Sequence, residues 1–242
     1  MLEIAANSVA SAQAAKAGGA DRVELCTALE VGGLTPSHGL LLQTREQVGL
    51  PIHVLIRPRA GDFLYNDDEI ATMLHDIRTC KALGCAGVVI GALTADGDVD
   101  HVRCRALIAA ADGMDVTFHR AIDVARDPHA ALEDIIALGC RRVLTSGAQP
   151  SALAGAHAIR TLIGQAAGRI EVMPGGGVAA ANLAELAAST GARQFHASAK
   201  AVLPSGMHHA RGVLPDMESG EWRTNIARVR ALADVLAATC AD

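Results

Sequence analysis

The sequence has no surplus of basic residues. Its 21 Lys and Arg are outnumbered by 26 Asp and Glu, a formal net charge of −5, whereas a surface built for phosphate backbones needs a basic field. Nucleic acid is therefore set aside as a main partner, and small molecules come forward. No run of about 18 apolar residues occurs, and the opening MLEIAANS has no basic stretch leading into a long apolar segment. These absences predict a cytoplasmic protein with no membrane partner. Six cysteines, Cys26, Cys80, Cys85, Cys104, Cys140 and Cys240, are scattered without CxxC spacing. That spacing fits reduced thiols packed as small core residues, not a disulfide framework.

The familiar catalytic signatures are missing too. No GxGxxG follows the first strand, which speaks against a dinucleotide-binding sheet. There is no HExxH and no HxH on a strand, and the carboxylates Glu3, Glu24, Asp62 and Asp123 are dispersed, so a zinc or magnesium centre is not expected. Without a GxSxG turn, Ser146 in LTSGA reads as a donor on a rim and not as a nucleophile. Only three lysines exist. Lys16 and Lys81 fall on outer helices, leaving Lys200 as the sole Schiff-base candidate, so a lysine-dependent aldolase is disfavoured.

What is present is a repeat. Gly19, Gly84, Gly139 and Gly191 each close a helical pattern and precede an apolar strand, as glycine in the left-handed helix-ending conformation does. Four further strands lie near 2–5, 52–56, 116–118 and 170–173. Between them, Asn66 with Glu69 forms a capping box before Ile70, Met73, Leu74 and Ile77 at helical spacing. Thr35-Pro36, Asp127-Pro128 and Pro150-Ser151 offer further helix starts. Eight alternating units in 242 residues predict a single α/β domain over 1–242, a (βα)8 TIM barrel. Residues 201–220, broken by Gly and Pro, read as a long loop before the last helix, placed to cover the barrel mouth.

Polar groups crowd the ends of the strands. TFHRAID (117–123) delivers His119, Arg120 and Asp123 after an apolar run, and Glu24 with Cys26, Arg57 with Arg59, and His196 with Ser198 do the same elsewhere. In such barrels the carboxyl ends of the strands build the active site. Alternation puts Glu24 and Cys26 on one face, likewise Leu55, Arg57 and Arg59, and Thr117 with His119. Glu24 and His119 suit acid and base roles, Arg57, Arg59 and Arg120 suit an anion clamp, and Asp123 and His196 complete the catalytic set. The competing reading is a structural ion-pair network, such as Glu24 with Arg57. Gly175, Gly176, Gly177, Ser198 and Lys200 stand where barrels often bind phosphate, and Ser146 extends that rim. A tight strand-to-helix turn explains the glycines equally well.

Together RVELC (22–26), GGLTPS (32–37), IRPRAGDFLY (56–65), TFHRAID, LTSG (144–147), PGGG (174–177) and FHASA (195–199) resemble the CutC family over roughly residues 1–200. The resemblance implies this barrel, a cytoplasmic location, a homodimer or higher homo-oligomer, and an association with copper homeostasis. It also implies a second cysteine on strand one facing Cys26, but Ala5 stands there. Cys26 is left as the one soft copper ligand in the barrel, the remaining donors being His119, His196 and, in the loop, Met207, His208 and His209. Copper binding in the barrel is therefore expected to be weak. The residues themselves point to a metal-independent lyase, isomerase or hydrolase acting on a small anion, and an oligomeric binding protein without turnover is the third reading.

Overall fold

The computed structural model describes residues 1–209 and 220–239. Eight parallel strands alternate with helices: β1 (Leu2–Ala6), α1 (Val9–Ala17), β2 (Arg22–Leu25), α2 (His38–Gln47), β3 (Ile52–Leu55), α3 (Asp67–Ala82), β4 (Gly87–Ile90), α4 (His101–Ala111), β5 (Asp115–Phe118), α5 (Pro128–Ala137), β6 (Arg142–Thr145), α6 (Ala156–Ala166), β7 (Glu171–Pro174), α7 (Ala180–Thr190) and β8 (Phe195–Ala197). Neighbours in sequence pair in the sheet, β1 also pairs with β8, and a bridge between Gly175 and His196 joins β7 to β8. The chain is a (βα)8 barrel.

The helices start and stop where local chemistry dictates. Asn66 accepts from the Glu69 N–H while the Glu69 carboxylate accepts from the Asn66 N–H, the expected capping box. Asp127 caps α5 with Pro128 in its first turn. At the other end of α3, the Cys85 N–H donates to the Cys80 carbonyl and the Gly84 N–H to that of Lys81, both at 3.0 Å. Gly84 adopts φ +69°, the left-handed geometry of a Schellman stop.

Strand alternation divides the side chains in two. Leu2, Ile4, Val23, Leu25, Ile52, Val54, Val88, Ile90, Val143 and Val172 pack outward against the helices in one continuous apolar core. Glu3, Glu24, His53, Thr117 and Arg142, each on the opposite phase of its strand, are buried in the barrel lumen. A small separate apolar cluster of Ala5, Cys26, Leu55 and Val89 tops that lumen.

One expectation is corrected here. The start of the expected 201–220 loop is strand instead: β9 (Lys200–Leu203) pairs antiparallel with β10 (Glu221–Thr224), and α8 (Ile226–Thr239) follows. The Thr224 hydroxyl donates to the Ala5 carbonyl at 3.2 Å and the Asn7 amide to the Trp222 carbonyl at 2.7 Å. The ribbon is thus stapled to the carboxyl end of β1. The second half of the expected loop, 210–219, and Cys240 lie outside the described residues.

Candidate functional site

A cavity of about 380 Å³ opens at the carboxyl ends of the strands. Glu24, Cys26, Arg57, His119, Arg120, His196, Ser198 and Lys200, drawn from the ends of β2, β3, β5 and β8, all line it. Gly176 and Gly177 contribute from the loop after β7. The remaining lining is apolar, with Ala5, Leu29, Leu55, Phe63, Leu144 and Val178.

Its floor is a buried acid–imidazole group. His196 Nδ1 lies 2.8 Å from Glu3 Oε1, and His196 Nε2 lies 3.8 Å from Glu24 Oε2. Glu3 Oε2 also accepts from Arg22 Nε at 2.5 Å, a pair almost wholly enclosed. Burial alone would raise the Glu3 pKa, but the His196 hydrogen bond and the charges of His196 and Arg22 together hold it well below the carboxylate range. Glu24 goes the other way. Burial, with the Glu3 charge adding, pushes it up to about 7 even against the pull of His196. Burial would lower His196, yet the Glu24 charge, the Glu3 hydrogen bond and the Glu3 charge outweigh it and raise its pKa.

His119 faces the cavity from β5 in a different state. Its Nδ1 accepts from the Ala121 N–H at 3.2 Å, which puts the proton of the neutral ring on Nε2. Nε2 is buried and has no partner among the described residues. Burial first, then the Arg57 charge, pushes the His119 pKa down to about 3, so at neutral pH the ring is an uncharged N–H donor. Phe63 packs against it, ring centroids 4.8 Å apart.

The structure spreads the expected clamp arginines. Arg57 lines the cavity but spends its guanidinium on the carbonyls of Val31, Gly33 and Gly61, at 2.8, 3.0 and 2.9 Å. It braces two loops, and the ion pair with Glu24 does not form. Arg59 lies outside the cavity, paired with Asp62 and Glu69. Arg120 stays at the cavity wall, held by Asp123 at 2.7 Å and by the Ser146 hydroxyl at 2.7 Å. Asp123 is turned away beneath the loop after β6, where it accepts from Thr145 Oγ1 and from the N–H groups of Ser146 and Ala148. Asp123 therefore positions Arg120 and does not itself reach the cavity. Ser146 is fully buried and also donates to the Gln149 carbonyl at 2.7 Å, so it supports the rim from beneath.

The glycine rim divides as well. The Gly175 N–H is spent on the Thr145 carbonyl at 2.9 Å, within the barrel ladder. The N–H groups of Gly176 and Gly177 donate to no acceptor among the described residues. Both adopt positive φ, +101° and +71°, and the Arg120 guanidinium lies over Gly176, with its Cζ 3.6 Å from where a β-carbon would stand. Lys200 Nζ sits 4.9 Å above the Trp222 ring at the edge of the same mouth. Sequence reasoning missed the lumen beneath: Glu3, Arg22, His53 and Arg142. The period-two count that found Glu24 reaches each of them when continued toward the amino ends of the strands.

A (βα)8 barrel with a half-polar, half-apolar pocket at the carboxyl ends of its strands is the class of protein this arrangement defines. The sequence profile of the CutC family matches residues 1–201, and the chain belongs to that family. A CutC family protein of Xylella fastidiosa strain Temecula1 is 54% identical over 97% of this chain and 88% of its own length. One from Chromobacterium violaceum is 50% identical over 98% of each. The crystal structure of a CutC from Streptococcus agalactiae, named for copper homeostasis, superposes with a TM-score of 0.77 at 34% identity, covering 82% of this chain and 98% of that one. The thiamine phosphate pyrophosphorylase of Pyrococcus furiosus, TM-score 0.62 at 11% identity over 98% of this chain and 96% of that one, shares the fold alone. No helix among the described residues is long and apolar enough to cross a membrane.

The family's name raises copper, and the donor set answers. Soft Cu(I) favours thiolate and thioether ligands. Among the described residues Cys26 is the one thiol lining the cavity, and burial, with the charges of Glu24 and Glu30, pushes its pKa up and keeps it a thiol. Glu3, Glu24 and His196 bring donor atoms within 4.8 Å of one another. Two of the three are carboxylates, and both Glu3 oxygens are already engaged by Arg22 and His196. These residues do not fit a Cu(I) centre.

Proposed function

We propose that the barrel is a metal-independent enzyme that binds a small organic anion and moves a proton on it, in the manner of an isomerase or lyase. The observation that carries this reading is Glu24, a buried carboxyl with its pKa raised to about 7, opening onto a cavity and backed by His196. A carboxyl poised near neutrality gives and takes protons with little driving force lost in either direction. His196 and Glu3 set its proton balance from behind. His119, neutral and with a free Nε2–H, offers a hydrogen bond to an oxygen on which charge develops. The free N–H groups of Gly176 and Gly177, with Ser198, Arg120 and Lys200, supply an anion cradle in the same cavity. The cellular setting we assign is the cytoplasm, since the five described cysteines are all buried and free, as a reducing compartment allows.

The test is to watch Glu24 itself. In protein labelled with 13C at glutamate side-chain carboxyls, one resonance should titrate near pH 7, vanish in Glu24→Gln and shift when phosphate is added. A Glu24 that is already ionised at pH 5, with no response to phosphate, overturns the proposal.

A further inference from the structure

The cavity has two chemically distinct halves, and only one of them is used by an anion and a proton relay. The cavity that holds Gly176, Gly177, Arg120 and Ser198 is also lined by Ala5, Cys26, Leu29 and Leu55. Three of these, with Val89 behind them, form an apolar cluster that is separate from the main core, and Leu29 packs on it. Though almost fully buried, Ala5, Cys26 and Leu55 line the cavity, where Ala5 contributes only a methyl group. Cys26 adds a protonated thiol, which behaves as a small apolar group. Water against such a wall has no hydrogen-bond partner there, so the free energy favours an apolar occupant.

Building on the anion-binding reading above, we propose that Ala5, Cys26, Leu29 and Leu55 form a subsite for a short alkyl group, making the substrate an amphipathic anion with its charged end at Gly176–Gly177 and its apolar end against β1 and β2. Glu24 lies on β2 two residues before Cys26 and on the same face. The atom that exchanges its proton is then the one joining the two ends. A bare inorganic anion or a polyhydroxylated one leaves the wall wet or buries hydroxyls without partners. Ala5 is the specificity-determining position, since its size sets how long a chain the wall accepts.

Calorimetric titration of the full chain with methyl, n-propyl and n-butyl phosphate tests this, because the three carry the same charged head. Each methylene buried is expected to tighten binding about fourfold, so butyl phosphate should bind at least about tenfold more tightly than methyl phosphate. The heat-capacity change should become more negative along the series. Ala5→Leu should collapse the butyl-to-methyl ratio toward one. Leu29→Ser, at the half-exposed edge of the wall, provides the same readout with less risk to folding and should cut the ratio about threefold or more. If methyl phosphate binds and the longer esters bind no more tightly, the alkyl subsite is wrong while the anion cradle stands. If none of the three binds, the anion reading fails and takes the subsite with it.

Discussion

Glu24, His196 and Glu3 show how two carboxyls a few ångströms apart are driven to opposite ends of the titration range. Glu3 has Arg22 and His196 on its two oxygens, so the ionised form is the one the protein is built around. Glu24 has a single more distant partner, at 3.8 Å, so burial decides. Removing the charge of Glu3 should therefore cost much more than removing that of Glu24. An enclosed ion pair broken on one side leaves an uncompensated charge, worth about 3–5 kcal/mol. We expect Glu3→Gln to lose about that much in urea unfolding, while Glu24→Gln should leave stability at pH 7.5 unchanged or higher. Equal losses would show that Glu3 is not the anchor of the group. Cys26 gives a second test at this scale. One thiol against an apolar wall makes no selective Cu(I) site, so Cys26→Ala should cost little copper affinity in titrations under reducing conditions with a competing chelator. Residual binding should follow the exposed Met207, His208 and His209. Tight stoichiometric binding abolished by Cys26→Ala would restore copper to the barrel.

The elements place these groups because each strand ends in phase with its neighbours. Gly91, just past β4, makes room for a ring from the next strand: a β-carbon there would lie 2.4 Å from His119 Cε1 and 2.5 Å from Nδ1. Gly91→Ala should push His119 out of its seat and destabilise the fold by about 1–3 kcal/mol through overpacking. The His119 ring resonances should shift with it. Wild-type stability with unshifted His119 signals would mean that the ring is not held as described. Much of this framework was legible beforehand. The eight strands, the glycine stops and the convergence of Glu24, Arg57, His119 and His196 all follow from period two and helix-ending glycines. The failures have local causes. Pro58 fixes φ and lacks an N–H, so the extended run that follows β3 stops after Arg57, which still lines the cavity, and the alternation expected to carry Arg59 inward no longer applies. The β9–β10 ribbon escaped because its strands are four residues each and lie about 17 residues apart in the chain, with no tight-turn dipeptide to announce the pairing. Asp123 and Ser146 carry polar side chains at the right strand ends, and nothing in a sequence tells whether such groups face a ligand or each other.

At the scale of the whole barrel, the lumen is charged where barrels of this fold usually stack branched aliphatics. Arg22 and Arg142 enter it from β2 and β6, Arg142 bonding Asp115 at 3.1 Å and reaching toward Thr117 at 3.4 Å, with His53 between them. Burial is the main force on His53, pushing its pKa down to about 4, as it pushes that of His119 to about 3. Both are neutral in the folded protein at pH values where the unfolded chain, titrating near 6.5, has taken up protons. Their contribution to stability is therefore complete above about pH 6.5 and is lost progressively as pH falls toward 4. Glu24 opposes this, since its raised pKa gives a contribution present below about 4.5 and lost as pH rises through 7. Glu3, with its lowered pKa, adds to the acid loss only below about 4.5. His196, with its raised pKa, contributes stability that is complete below about pH 6.5 and lost only above it, so between pH 6.5 and 4.5 His53 and His119 act against Glu24 and melting temperature should fall across that window. His119→Gln, which keeps a side-chain donor but cannot ionise, should flatten the slope. A wild-type protein as stable at pH 4.5 as at pH 6.5, together with a His119→Gln variant of unchanged slope, would mean that His119 is not held neutral by its burial and that its proposed role as an uncharged donor is wrong.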